Sequence, residues 1–251
     1  MISVIIPTVN QVDLVKQCYQ SFIQTVSETP YETIVVDDGS PKHIQQALLE
    51  WANNVSIKCI LKSSNSGFSA AVNAGIREAQ GQYVLLVNND IVFHEPGWLG
   101  HMIQTIQLMP QIGIVGARLL YSNHTIQHGG VYPTTRGNFD HRYRFLPSNH
   151  PPALAVEDVN AVTGALMLIR KELIQNIGML SEEYYIAYED IDLCYRAKQY
   201  GWRVMYCGTA SAVHLEGQTR GTTSANKNPY WRRKEMESKK TFWSKWMGAR
   251  F

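Results

Sequence analysis

Two rhythms alternate through the first part of the chain: short β-branched runs closed by polar residues, and segments whose apolar positions recur every three or four residues. Residues 3–6 read as a buried strand closed by Pro7. Behind Asn10, a candidate N-cap, Leu14, Cys18 and Phe22 fall at helical spacing. Residues 32–36 predict a second strand ending in Asp37-Asp38-Gly39-Ser40, and Ile44, Leu48 and Trp51 a second helix. A third strand at 57–61 empties into Ser63-Ser64-Asn65-Ser66-Gly67, and 68–79 predicts a helix stopped by Gly81. Residues 83–87 form a short, fully apolar run that breaks into Asn88-Asn89-Asp90. Such a run reads as a strand buried in a parallel sheet.

Strand and helix alternating at these lengths imply right-handed βαβ units and an α/β fold with a parallel sheet. The strand ends carry Thr8 and Asn10, Asp37 and Asp38, Asn65, then Asn88 to Asp90, and all should share the carboxyl edge, where open α/β sheets bind ligands. Taken alone, Asn-Asn-Asp is equally a turn. Four polar ends on one edge favour a nucleotide site. The chain has no Gly-x-Gly-x-x-Gly after its first strand and no Gly-x-x-x-x-Gly-Lys-Ser/Thr, so neither a dinucleotide enzyme nor a P-loop NTPase is supported.

The second half is less regular. Strands are expected at 113–117, 162–169 and 203–207, the last leading to His214 and Gly217. A short helix is expected at 172–176 before Gly178, and another starts near Tyr188-Glu189-Asp190 and ends at Gly201. The polar stretch 121–156, rich in Gly, Pro, His and Arg, reads as a functional loop or lid. The tail from Tyr230 interleaves Trp231, Phe242, Trp243 and Trp246 with Arg and Lys. It is either a terminal helix packed on the domain or a basic helix on an anionic membrane surface; Glu235 and Glu237 dilute its charge and favour packing.

The 251 residues suffice for one large α/β domain, and 23 Lys plus Arg against 21 Asp plus Glu leave a net charge of +2. No basic excess calls for nucleic acid. Four scattered cysteines show no zinc spacing, and reduced thiols are expected. No segment approaches the ~20 apolar residues of a membrane span, and the first residues lack the pattern of a signal peptide. A cytoplasmic protein is expected, with peripheral attachment at the inner face of the membrane left open.

Ser3-Val4-Ile5-Ile6-Pro7-Thr8, Val35-Val36-Asp37-Asp38-Gly39-Ser40, Asn65-x-Gly67-Phe68 with Asn73-x-Gly75, Asn88-Asn89-Asp90 and Glu189-Asp190-x-Asp192-Leu193-x-x-Arg196 together resemble glycosyltransferase family 2, the inverting GT-A enzymes. Within it the chain looks most like bacterial rhamnosyltransferase-like proteins of cell-surface polysaccharide assembly. The resemblance implies one GT-A domain over 1–225, with a Rossmann-like nucleotide-binding half (1–90) and an acceptor-binding half (91–225). A basic aromatic helical tail (226–251) follows. It also implies transfer of a hexose or a deoxyhexose such as rhamnose from a UDP- or dTDP-sugar to a polysaccharide or lipid-linked glycan acceptor, assisted by Mn²⁺ or Mg²⁺.

By the same resemblance, Pro7, Thr8, Asn10 and Asp38 lie near the nucleoside, with Asn65, Gly67 and Phe68 clasping it and Asn73 reaching the same pocket from its helix. Asn88-Asn89-Asp90 stands where the family has Asp-x-Asp and retains only the last carboxylate, leaving Asp90 as the metal ligand, with His214 as a second and Asn88 and Asn89 beside the donor; a hydrogen-bonded histidine at a strand end is an equal reading of His214. Thr163 and Gly164 line the sugar pocket. Asp190 looks like the catalytic base, held ionised at a helix N-terminus, with Glu189 beside it in acceptor or sugar binding. Asp190 as a plain N-cap is the competing reading. Two other functions stay open: a sugar nucleotidyltransferase, which would carry a Gly-rich basic loop after its first strand, and a non-catalytic nucleotide-sugar-binding relative.

Overall fold

The computed structural model describes residues 1–27, 29–135, 137–215 and 228–247. The expected alternation holds: β1 (Ile2–Thr8), α1 (Val12–Thr25), β2 (Tyr31–Asp37), α2 (Lys42–Asn54), β3 (Lys58–Leu61), α3 (Phe68–Glu78) and β4 (Tyr83–Val87) follow in order. β5 (Ile91–Val92), α4 (Trp98–Gln107), β6 (Ile112–Leu120), β7 (Ile126–His128), β8 (Val131–Pro133), β9 (Phe139–His141) and β10 (Val156–Asp158) come next. β11 (Leu166–Arg170), α5 (Lys171–Ile177), α6 (Glu189–Gln199), β12 (Arg203–His214) and α7 (Pro229–Trp246) complete the described chain.

One mixed sheet runs β10-β12-β6-β11-β4-β1-β2-β3. β4, β1, β2 and β3 are mutually parallel, and β6 and β12 are parallel to each other. β11 runs antiparallel between β6 and β4. The reversal at β11 decides where the site lies, because the residues preceding β11 arrive at the edge where β4, β6 and β12 end.

Successive side chains of a buried strand face opposite layers, and both are apolar here. Ile5, Val36 and Leu86 pack with α3, α5, α6 and α7 on one face. Ile6, Val35 and Leu85 pack with α1, α2 and α4 on the other. The basic aromatic tail is part of this packing: Phe242 and Trp246 are buried, and Ser238 donates to Ile186 O at 2.7 Å. Among the described residues no helix is long and apolar enough to cross a membrane.

Several expectations change in detail. Asn10 is not the cap of α1: it sits at φ 59° and Gln11 takes the N-cap position, without a side-chain cap bond. The strand expected at 162–169 begins only at Leu166, because Thr163 and Gly164 turn aside to meet α6. The stretch 121–156 is not a structureless lid; it carries β7, the β8–β9 hairpin, a 3₁₀ turn at Pro151–Leu154 and β10. Three-residue strands leave no alternation long enough to read from sequence.

Candidate active site

The polar strand ends converge as expected, on a cleft of about 370 Å³ at the carboxyl edge. Pro7, Thr8, Asp38, Asn65, Gly67, Phe68, Asn88, Asn89, Asp90, Thr163, Gly164, Glu189, Asp190 and His214 all line it; Asn10 and Asn73 do not.

Asp190 lies in the first turn of α6, two residues after the N-cap Tyr188, so it is not the cap itself. Ala187 and Tyr188 both adopt left-handed backbone, at φ 64° and 72°, which turns the chain sharply into the helix. Such non-glycine geometry costs free energy and is held only where surrounding contacts fix it. Asp190 Oδ2 accepts from the Gly164 amide at 2.9 Å and Oδ1 from the Ile191 amide at 2.8 Å. A Cβ at Gly164 would stand 3.3 Å from Asp190 Cβ, so a side chain there would crowd the carboxylate. Burial pushes the Asp190 carboxyl above the ordinary range, and the amides of Gly164 and Ile191 offset this in part. A carboxylate of raised proton affinity is better suited to accept a proton. Glu189 is buried beside it on the cleft wall.

Asp90 and His214 come together from β5 and β12, whose pairing sets His214 opposite Ile91. His214 Nε2 stands 3.1 Å from Asp90 Oδ1. His214 Nδ1 lies 2.7 Å from Gln127 Oε1, an acceptor, so Nδ1 carries the ring proton in the neutral imidazole. The Nε2 lone pair then faces a carboxylate oxygen, an arrangement that asks for a cation between them. Adjacent ligands of an octahedral ion with bonds of ~2.1 Å lie about 3.0 Å apart, so the pair fits two cis positions of such an ion. Among the described residues no group of three or more His, Cys, Asp or Glu forms a full cage. The remaining positions would fall to water and diphosphate oxygens, the usual manner of Mg²⁺ at phosphates.

At the opposite end, Asp38 is buried and its carboxylate gathers the β3–α3 loop, accepting from Gly67 N at 2.9 Å, Ser66 N at 3.1 Å and Lys62 Nζ at 2.6 Å. Gly67 adopts φ 91°, and a Cβ there would stand 2.5 Å from Tyr185 O, so both conformation and space require glycine. Asn65 Oδ1 accepts from Tyr185 Oη at 2.6 Å. Asn89 Nδ2 donates to Thr8 Oγ1 at 2.9 Å. Asn88 Oδ1 is buried with no hydrogen-bond partner among the described residues. A buried acceptor in that state, on a cleft wall, suits a ligand or water.

Asn73 is corrected. Its Nδ2 donates to Leu180 O at 2.9 Å and Glu182 Oε1 at 2.8 Å, and its Oδ1 accepts from Leu180 N at 3.1 Å. The buried amide does need partners, but they are in the segment before α6 and not in the cleft. Asn10 is exposed at the loop after β1, where its amide donates to Ser40 Oγ at 2.8 Å.

Among the residues that bear on the cleft and that sequence reasoning did not assign to it are Gln127, His128, His141, Arg144, Tyr185 and Trp231. All but His128, which lies behind His141, line it. Gln127, His128, His141 and Arg144 sit in the stretch that lacked periodicity. The four histidines and three arginines between 121 and 156 were the available signal.

A mostly parallel sheet with helices on both faces is the GT-A fold. The mannosyltransferase PcManGT of Pyrobaculum calidifontis, solved with GDP-Man and Mn²⁺, superposes with a TM-score of 0.71 at 16% identity, covering 100% of this chain and 65% of that one. The family model described as glycosyl transferase family 2 matches residues 3–178, and the chain belongs to that family. It is 26% identical to the O-antigen biosynthesis protein RfbC of Myxococcus xanthus, over 92% of this chain and 18% of that protein. It is 23% identical to the N-acetylglucosaminyl-diphospho-decaprenol L-rhamnosyltransferase of Mycobacterium tuberculosis, over 81% of this chain and 73% of that one. The chain spans 27% and 18% of two curated relatives that match over more than nine-tenths of it. Asp190, His214 and Trp231 lie beyond the residues that the family model matches.

Proposed function

We propose that the chain is an inverting glycosyltransferase domain that moves a hexose or deoxyhexose from a nucleoside diphosphate to a polysaccharide or lipid-linked glycan acceptor. The observation that carries this reading is that Asp190 and the Asp90–His214 pair open into one cleft. Residues 1–90 serve as the nucleotide half and 91–225 as the acceptor half. Asp38, Asn65, Gly67 and Phe68 border the nucleoside end, with UDP or dTDP as the nucleotide.

In the transfer, the acceptor hydroxyl oxygen bonds to the anomeric carbon while the bond from that carbon to the phosphate oxygen breaks, its electron pair leaving with the diphosphate. Asp190 takes the hydroxyl proton, and its raised proton affinity supports that role. Gly164 and Ile191 orient the carboxylate through their amides. Asp90 and His214 would hold Mn²⁺ or Mg²⁺, which neutralises charge on the departing diphosphate when bound. Glu189 and Thr163 flank the sugar.

Asp190→Asn keeps the size of the side chain and removes the base. Transfer should fall by about 100- to 10,000-fold, with little change in Mn²⁺-dependent binding of UDP or dTDP. Turnover close to that of the unaltered protein would rule Asp190 out as base.

A further inference from the structure

β7 and β9 each end in a histidine, and the two rings meet. His128 Nδ1 and His141 Nδ1 are 2.6 Å apart, so one of them donates and the other accepts. The surroundings decide which. His128 Nε2 lies 3.3 Å from the Gly130 amide and 3.5 Å from the Thr163 amide, both donors, so that nitrogen keeps its lone pair. The His128 proton therefore sits on Nδ1 and is donated to His141 Nδ1. His141 must then carry its own proton on Nε2.

His128 is fully buried behind this contact, whereas His141 lines the cleft with Asp90, Gln127 and His214. Among the described residues none accepts a hydrogen bond from His141 Nε2. Burial, with the nearby Arg144 and His214 adding to it, lowers the His141 ring to about 4, so it remains neutral near pH 7.

We infer that His141 Nε2–H donates a hydrogen bond to the diphosphate of the bound sugar donor, and that His128 is the positioning residue that fixes its tautomer. The inference rests on the reading of the cleft as a nucleotide-sugar site. Topology selects the diphosphate over the nucleoside. Gln127, adjacent to His128 on β7, holds His214 against Asp90, so the histidine pair and the metal pair are built on neighbouring residues of one strand. The nucleoside-end residues follow β2 (Asp38) and β3 (Asn65 and Gly67, in the loop to α3), across the sheet from β6 and β7. A fixed N–H dipole at the diphosphate acts where negative charge grows as the anomeric bond breaks, and needs no reorganisation to do so.

Calorimetric titration with UDP against UMP, and dTDP against dTMP, in Mn²⁺ tests this on two variants of similar bulk. His141→Leu removes the donor and His141→Gln retains one. Hydrogen bonds to charged groups predict that His141→Leu weakens diphosphate binding about tenfold or more, with monophosphate binding unchanged within about twofold. The same comparison has His141→Gln within about threefold of the unaltered protein. Equal losses for monophosphate and diphosphate, or undiminished diphosphate binding by His141→Leu, would overturn the assignment. If the unaltered protein bound neither diphosphate, the reading of the cleft itself would fall, a result distinct from the first two.

Discussion

Asp192 is the residue at which the last helix is tied to the domain, and its removal gives the sharpest test of the packing. Its side chain is fully buried and accepts from Tyr184 Oη at 3.1 Å, Arg196 Nε at 2.8 Å, Trp246 Nε1 at 2.9 Å and Lys245 Nζ at 2.8 Å. Burial alone would raise its carboxyl, but Lys245, Arg196 and Trp246 outweigh it and hold the group below the ordinary range. Asp192→Ala strands Arg196, though Ile177 O and Met179 O still accept from that guanidinium. Breaking a buried pair costs about 3–5 kcal/mol. Lys245 is 35% exposed, so solvent screens its share to within about 1 kcal/mol. We expect Asp192→Ala to cost about 3–4 kcal/mol, a large part of a typical total of about 5–15, and Lys245→Met under about 1. Urea unfolding at pH 7.5 measures both. The sign of the pH dependence follows from the lowered folded value: the Asp192 contribution is present above the unfolded carboxyl pKa of about 3.9 and lost as pH falls through the folded one. The difference between the two proteins should therefore stay level from about pH 8 to 5 and shrink below about 4. A loss under about 1 kcal/mol at pH 7.5 would refute the account of Asp192 as the tie.

Asp90→Ala and His214→Ala should each abolish the rise in Tm that Mn²⁺ gives in the presence of UDP or dTDP, while leaving the Tm of the protein alone within a few degrees; a full rise in both would remove the pair as metal ligands. Gly67→Ala should destabilise by about 1–3 kcal/mol in denaturant unfolding, since it meets both an unfavourable φ and Tyr185 O, and should weaken nucleotide binding as well. Asn73→Ala should lower stability by about 1–3 kcal/mol with nucleotide affinity unchanged. A selective loss of affinity in Asn73→Ala would restore it to the site.

The nucleotide half was legible because its signals are local. β1 to β4 and the intervening helices follow from apolar runs, helical spacing and the polar residues that close each run, and Asp38, Gly67 and Asp90 came with them. What escaped detection depends on distant partners. Nothing near Asn73 says that its amide will meet Leu180, and nothing near His128 says that its ring will be oriented by Thr163 and in turn orient His141. The cap of α6 was hidden for another reason: Ala187 and Tyr188 take left-handed backbone without the glycine or asparagine that advertises it. Asp190 and His214 were reached through resemblance; their local sequence alone left a helix cap and a hydrogen-bonded histidine equally available.

The 18 residues of α7 span about 27 Å at the standard rise, and its two ends do different things. At the far end, Trp246 is locked to Asp192; at the near end, Trp231 forms part of the cleft wall beside Tyr185, with ring centroids 6.2 Å apart. The helix thus works as a splint, carrying rigidity from the domain core to the mouth of the site. Trp231→Ala would spare every proposed polar contact to the donor and the packing of Phe242 and Trp246, yet open one side of the cleft to water, so a loss of donor affinity in that variant would report a missing wall, with the proposed chemical groups still in place.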